Sequence, residues 1–173
     1  MACPYFCPTR RLEGPAWRSK VRPPLGDAYD GQCHALPEQI HQPTRAVLVE
    51  ACNLGYAAPQ CERFPAGEGP EAVRFCVRAD SGAAVSLDYV LERAHLPYEH
   101  GRLVFDRERK SWSGLPGGSL LERQAQAYLE SYLSWKRDGG RSARRTEEGE
   151  LRADHERQVK KRKRPKSKAT TAG

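Results

Sequence analysis

The chain has no apolar run approaching the roughly 20 residues that a helix needs to cross a bilayer. Its opening stretch, MACPYFCPTRRLEG, lacks the apolar h-region of a secretory leader. Together these absences predict a cytoplasmic protein with no membrane partner, in a compartment where thiols stay reduced. No Ser/His/Asp elbow, P-loop or dinucleotide fingerprint occurs either, so no catalytic residue is nominated and the reading leans away from an enzyme. C-x2-C pairs are also missing, which counts against a zinc knuckle built on short paired spacings.

Acid is absent from one segment. Between Arg157 and Lys168 there are eight Lys or Arg residues and no Asp or Glu. Without those eight, 21 basic residues face 22 acidic ones, so the net charge of +7 belongs to the tail. Lys160, Lys161, Arg162, Lys163, Arg164, Lys166 and Lys168 are the candidate contacts to RNA or DNA, or to an acidic protein, through counterion release without sequence specificity. No aromatic is interleaved there, so the tail carries no stacking platform for single strands.

The remainder divides into three zones. Residues 1–66 hold five of the six cysteines with many prolines and glycines and read as a loop-dominated, metal-binding module with one helix, 44–54. Thr44 is its expected N-cap and Gly55 its C′ terminator, with Val47, Ala51 and Leu54 on one stripe and Leu48 and Cys52 on the adjacent face. Residues 67–137 change period. Val73, Phe75 and Val77 alternate with Arg74, Cys76 and Arg78, and Val85, Leu87, Tyr89 and Leu91 alternate with Ser86, Asp88, Val90 and Glu92. These read as half-buried strands joined by a turn at 80–82, with a second hairpin from 101–106 and 111–113.

A helix over 119–136 follows, with Ser119 and Glu122 as a capping box and Leu121, Ala125, Tyr128, Tyr132 and Trp135 on one stripe. Residues 138–173 read as a disordered basic tail. The expected fold is α+β: the Cys-rich module packed as one unit on a small antiparallel meander, covered by the helix.

A reduced, loop-rich segment with Cys3, Cys7, Cys33, Cys52 and Cys61 points to a metal centre, which would stabilise a zone with little apolar surface to bury. A multi-iron cluster is wider than one ion and collects thiolates from scattered loops, so a [4Fe-4S] cluster is the first expectation and zinc the alternative. Cys33, Cys52 and Cys61 form the core set. Cys3 is preferred as the fourth because CPYF echoes CERF, a cysteine followed by aromatics that shield a cluster from water; Cys7 competes with it. Cys-Pro at both positions suits an extended ligand loop. His34, beside Cys33, is a substitute ligand, and Cys76 is left out as a strand residue on the polar side. His95 and His100, near Glu92 and Glu99, are weighed as an acid–base pair and set aside as turn and surface positions. The glycines of 114–118 read as a linker before a capped helix.

CPYF, PLGDAYDGQC and CNLGYAAPQCERFP, followed by EAVRF, resemble a small family of bacterial proteins that carry those cysteines in that order. The resemblance spans roughly residues 3–135 and implies Cys3, Cys33, Cys52 and Cys61 as a ligand set, with no activity attached. Cys7 and the lysine-rich tail depart from it. The expected function is a metal-centre-binding protein, its [4Fe-4S] cluster serving a structural or redox role, the latter alongside a partner protein in a redox complex. The rival is a zinc-stapled binding module that docks through its tail.

Overall fold

The computed structural model describes residues 1–12, 23–36, 38–58 and 60–139. The tail cations from Arg157 to Lys168 lie outside them. Two compact units are present, Met1–Tyr132 and a second beginning at Leu133, of which 133–139 are described.

The first unit is α+β, with two antiparallel sheets and a helix. Strands β1 (Phe6–Arg11) and β2 (Tyr29–Cys33) make a two-stranded sheet. A short helix α1 (Arg45–Val47) runs straight into a π-helical turn, Leu48–Cys52. Strands β3 (Ala72–Asp80), β4 (Ala84–Arg93), β5 (Leu96–Asp106) and β6 (Ser111–Ser113) form a meander in chain order. Helix α2 covers 120–139.

The β1–β2 hairpin adds two strands to the first zone that the sequence pattern did not mark. FCPTRR and YDGQC carry no clean period-two signal, because Pro8, the arginines and Gly31 interrupt it. Gly31 reads as a turn-former yet sits mid-strand for packing. A Cβ there would lie 2.2 Å from the Cys7 carbonyl oxygen and 2.7 Å from the Phe6 ring. The residue therefore permits a close strand approach.

The meander follows the alternation read from sequence until a bulge at Leu91/Glu92 shifts the phase of β4. Beyond it Glu92, expected on the polar side, is buried at 1% exposure. It accepts hydrogen bonds from Tyr56 and Arg74. Burial works against its charge, but those two donors outweigh burial and hold the carboxyl below its usual range. The second hairpin is longer than read. β5 begins at Leu96, and Ala94 and His95, both at positive φ (48° and 62°), make the two-residue turn that joins it to β4. His95 stacks on Tyr56, while Glu99 accepts from the Tyr89 hydroxyl. Both carboxylates of the discarded acid–base pairing are thus engaged structurally.

Helix α2 starts as expected, with Ser119 Oγ accepting from the Glu122 N–H while the Glu122 carboxylate accepts from the Gly118 N–H. Its buried surface is broader than one stripe. Ala125 and Leu129 are buried, and Tyr128 packs on Phe75 of β3. Gln124, Ala127 and Ser131, at helical spacing on a second face, are buried against the first sheet. The Tyr29 hydroxyl donates to the Ala127 carbonyl and pairs with Ser131 Oγ, each at 2.7 Å. Within Met1–Tyr132 the helix is thus wedged between two sheets. Trp135, which the period placed on the apolar stripe, is 57% exposed.

Candidate metal centre

Four separate segments bring Cys3, Cys33, Cys52 and Cys61 to the wall of one cavity of about 350 Å³. Each cysteine has a distinct local anchor. Cys3 opens a turn in which the Phe6 N–H donates to the Cys3 carbonyl at 3.2 Å, with Pro4 at the second position. The expected extended conformation after Cys3 is therefore a turn, while Cys7-Pro8 does lie in a strand. The Cys3 N–H donates to the Cys52 carbonyl at 3.0 Å, which ties the first and third of these segments together. From α2, the Gln124 side-chain amide donates to the carbonyls of Cys3 at 2.8 Å and Phe6 at 2.7 Å.

Cys33 ends β2 and pairs with His41, exchanging both backbone hydrogen bonds at 2.7 and 3.1 Å. Cys52 closes the π-helical turn. Thr44 caps α1 as read, its hydroxyl facing the Val47 N–H. The widened turn, closed by the Asn53 N–H donating to the Leu48 carbonyl, buries Leu48, Ala51 and Cys52 together instead of Val47 and Leu54. A π-turn re-aims side chains within a helix and is frequent at functional sites. Buried Asn53 then locks this end to β2, accepting from the Tyr29 N–H and donating to the carbonyls of Tyr29 and Leu48, all at 2.9 Å.

Gly55, at φ +71°, reverses the chain where a Cβ would meet the Met1 carbonyl oxygen at 1.8 Å. The return loop places Cys61, whose N–H donates to the Ala57 carbonyl at 2.8 Å.

The thiols lie close enough that charge on one disfavours charge on another. The Cys3 thiol is pushed up to about 12, chiefly by burial, with Cys33 and Cys61 adding to the shift and the Tyr5 and Phe6 N–H groups opposing it. Cys52 is pushed up to about 12 by burial and by the other three thiols. Among the described residues, no three His, Cys, Asp or Glu side chains close in on a point that would grip a single ion. The thiols instead stand around a volume.

Tyr5 and Phe64, the aromatics of CPYF and CERF, meet edge-on with centroids 5.4 Å apart and line the same cavity. The other candidates are elsewhere. Cys7 alternates away from Phe6 on β1 and lines a separate cavity with His34 and Arg123. The substitute-ligand role considered for His34 loses its geometry there. Cys76 is exposed on β3. Sequence reasoning missed His41 and Arg63, both on the wall of the thiol cavity, and the anchors Asn53 and Gln124. His41 follows Cys33 by eight positions, and only the strand bridge between them makes the two neighbours.

No family model, no curated protein and no solved structure matches this chain. Among the described residues no helix is long and apolar enough to cross a membrane.

Proposed function

We propose that this protein binds a metal centre, a [4Fe-4S] cluster held by Cys3, Cys33, Cys52 and Cys61, with a structural or one-electron redox role. The observation that carries the reading is the convergence of four thiols, from four separate segments, on one cavity of about 350 Å³. A set of thiols arranged around a volume supports a polynuclear cluster over a single tetrahedral ion, whose sulfurs at about 2.3 Å from the metal would crowd together.

The chain's own groups fit that centre. Tyr5 and Phe64 screen the cavity from water. The Tyr5 and Phe6 N–H groups that face the Cys3 sulfur are the kind of donor that sets a cluster's potential. Burial keeps the Cys3 and Cys52 thiols protonated when free, so any metal that takes them as thiolates displaces those protons. When bound, the cluster supplies one-electron transfer or a covalent staple between the four segments. The tail from Arg157 to Lys168 is the proposed contact for nucleic acid or an acidic protein, and a redox partner would act at the cavity.

Anaerobic purification with iron, zinc and sulfide analysis, together with the visible spectrum, tests the reading. Iron and sulfide near about four per chain, with a brown colour lost in Cys52→Ala, are the expected result. One zinc and no colour would replace the cluster with a structural staple, and no metal in any form would overturn the proposal.

A further inference from the structure

The thiol cavity holds one more metal-binding side chain than the four cysteines. Cys33 and His41 are directly opposed in an antiparallel bridge. Such partners project to the same face with Cβ atoms about 4.5–5.5 Å apart, so the His41 imidazole stands beside the Cys33 thiol, and both line the cavity. None of the described residues hydrogen-bonds that imidazole.

The Cys61 loop lines the same cavity. The Arg63 guanidinium donates to the Gln39 carbonyl at 3.2 Å, tying that loop to the segment that leads into His41. Of the four thiols, Cys61 alone is not buried; Cys3, Cys33 and Cys52 are. The cavity therefore carries two donors of different chemistry, the less buried Cys61 thiol and the His41 imidazole, on segments held to each other.

Resting on the metal-centre reading above, we propose that His41 is a reserve ligand that takes the coordination position of Cys61 when Cys61 leaves it. In that exchange the metal–sulfur bond to Cys61 breaks, its sulfur picks up a proton from solvent, and an imidazole nitrogen lone pair forms the new bond. No electron changes hands. Replacing a thiolate by a neutral imidazole removes one negative charge from the centre and raises its reduction potential, as it does where histidine ligates a cluster. The cavity is thus built for a centre with two ligation states, the property a sensor or a gated electron carrier requires.

The test compares the full-length chain with Cys61→Ala, His41→Ala and the double variant, each reconstituted anaerobically with iron and sulfide. The readouts are iron per chain and pulsed electron paramagnetic resonance of the reduced protein labelled with ¹⁵N-histidine. Wild type and His41→Ala are expected to load equally, with no ligand-strength nitrogen coupling. Cys61→Ala is expected to keep most of its iron and to gain coupling to one histidine nitrogen. The double variant is expected to lose iron by more than about tenfold.

Cys61→Ser, which keeps the side-chain volume, substitutes if circular dichroism shows the alanine variant misfolded. A Cys61 variant that loads without nitrogen coupling overturns the proposal, as does failure of both folded Cys61 variants to load. So does an empty His41→Ala chain, or a double variant as well loaded as the single one. No uptake by the wild-type chain overturns the metal-centre reading itself, and this proposal with it.

Discussion

Gln124→Met isolates the contact by which α2 fixes the Cys3 turn. Gln124 is 1% exposed, and its amide is the donor to both the Cys3 and Phe6 carbonyls. Methionine matches glutamine in length and adapts to its space, so little cavity energy enters and the hydrogen bonds dominate the change. The two carbonyls are not equally exposed to the loss. Cys3 keeps the Phe6 N–H at 3.2 Å, whereas the N–H of Cys33, the residue opposite Phe6 in β2, is committed to His41.

An unmatched buried carbonyl costs about 1–3 kcal/mol, so one fully and one partly deprived group give about 2–4 kcal/mol. At about 1.5 kcal/mol per molar for a domain of this size, the urea midpoint of the metal-free protein falls by about 2 M with the slope unchanged. Fluorescence and circular dichroism measured on the same samples should move together. Iron transfer to a chelator should also be faster in the reconstituted variant, because the Cys3 turn has lost its clamp. A stability loss under about 1 kcal/mol would mean that the amide sees water and that α2 does not position Cys3.

Two further outcomes follow from charge. Cys3 and Cys52 keep their protons to about pH 12 when folded and lose them near their usual value of about 9 when unfolded. Their contribution is therefore complete below about pH 9 and lost as pH rises towards 12, so the urea midpoint of the metal-free chain falls from pH 7.5 to pH 10, and a rise would refute the burial argument. The eight tail cations predict RNA binding whose affinity falls with salt at a log–log slope no steeper than about −6; deleting residues 138–173 should abolish it, and undiminished binding by the truncated chain would refute the tail assignment.

The meander, α1 and the start of α2 were legible because each rests on a local signal: period two, a Thr cap with a Gly stop, and a Ser/Glu box. Composition and order singled out Cys3, Cys33, Cys52 and Cys61, and those four residues line one cavity. Four things were not legible, and each depends on contacts that the local pattern does not show. Gly31 looks like a loop residue until the Phe6 ring and Cys7 carbonyl are seen against it. Glu92 looks like a surface acid until the bulge turns it inward. Gln124 and Ser131 look like the polar face of an amphipathic helix, because a helix between two sheets buries a second face that hydrophobicity alone does not mark. His41 was hidden for the same reason: its neighbour in space, Cys33, lies eight residues earlier and is joined to it only through a bridge.

These hidden residues share a location. Gln124 holds the Cys3 turn, Asn53 holds the end of the Cys52 turn against β2, and Tyr56 fixes the chain just after Gly55 to Glu92 of β4. The cysteine-bearing segments themselves bury few large apolar groups, and polar anchors of this kind specify one arrangement more than they add stability. Each anchor is set by a different element, so the cavity inherits the rigidity of both sheets and of the helix between them. A zinc finger gathers its ligands only as it folds around the metal. Here the surrounding fold positions the thiols first, so on the proposed function a metal would displace protons more than it would order the chain. On that proposal, affinity and potential would be set by side chains at the cavity wall, His41 and Arg63 among them, instead of by the folding of the whole domain.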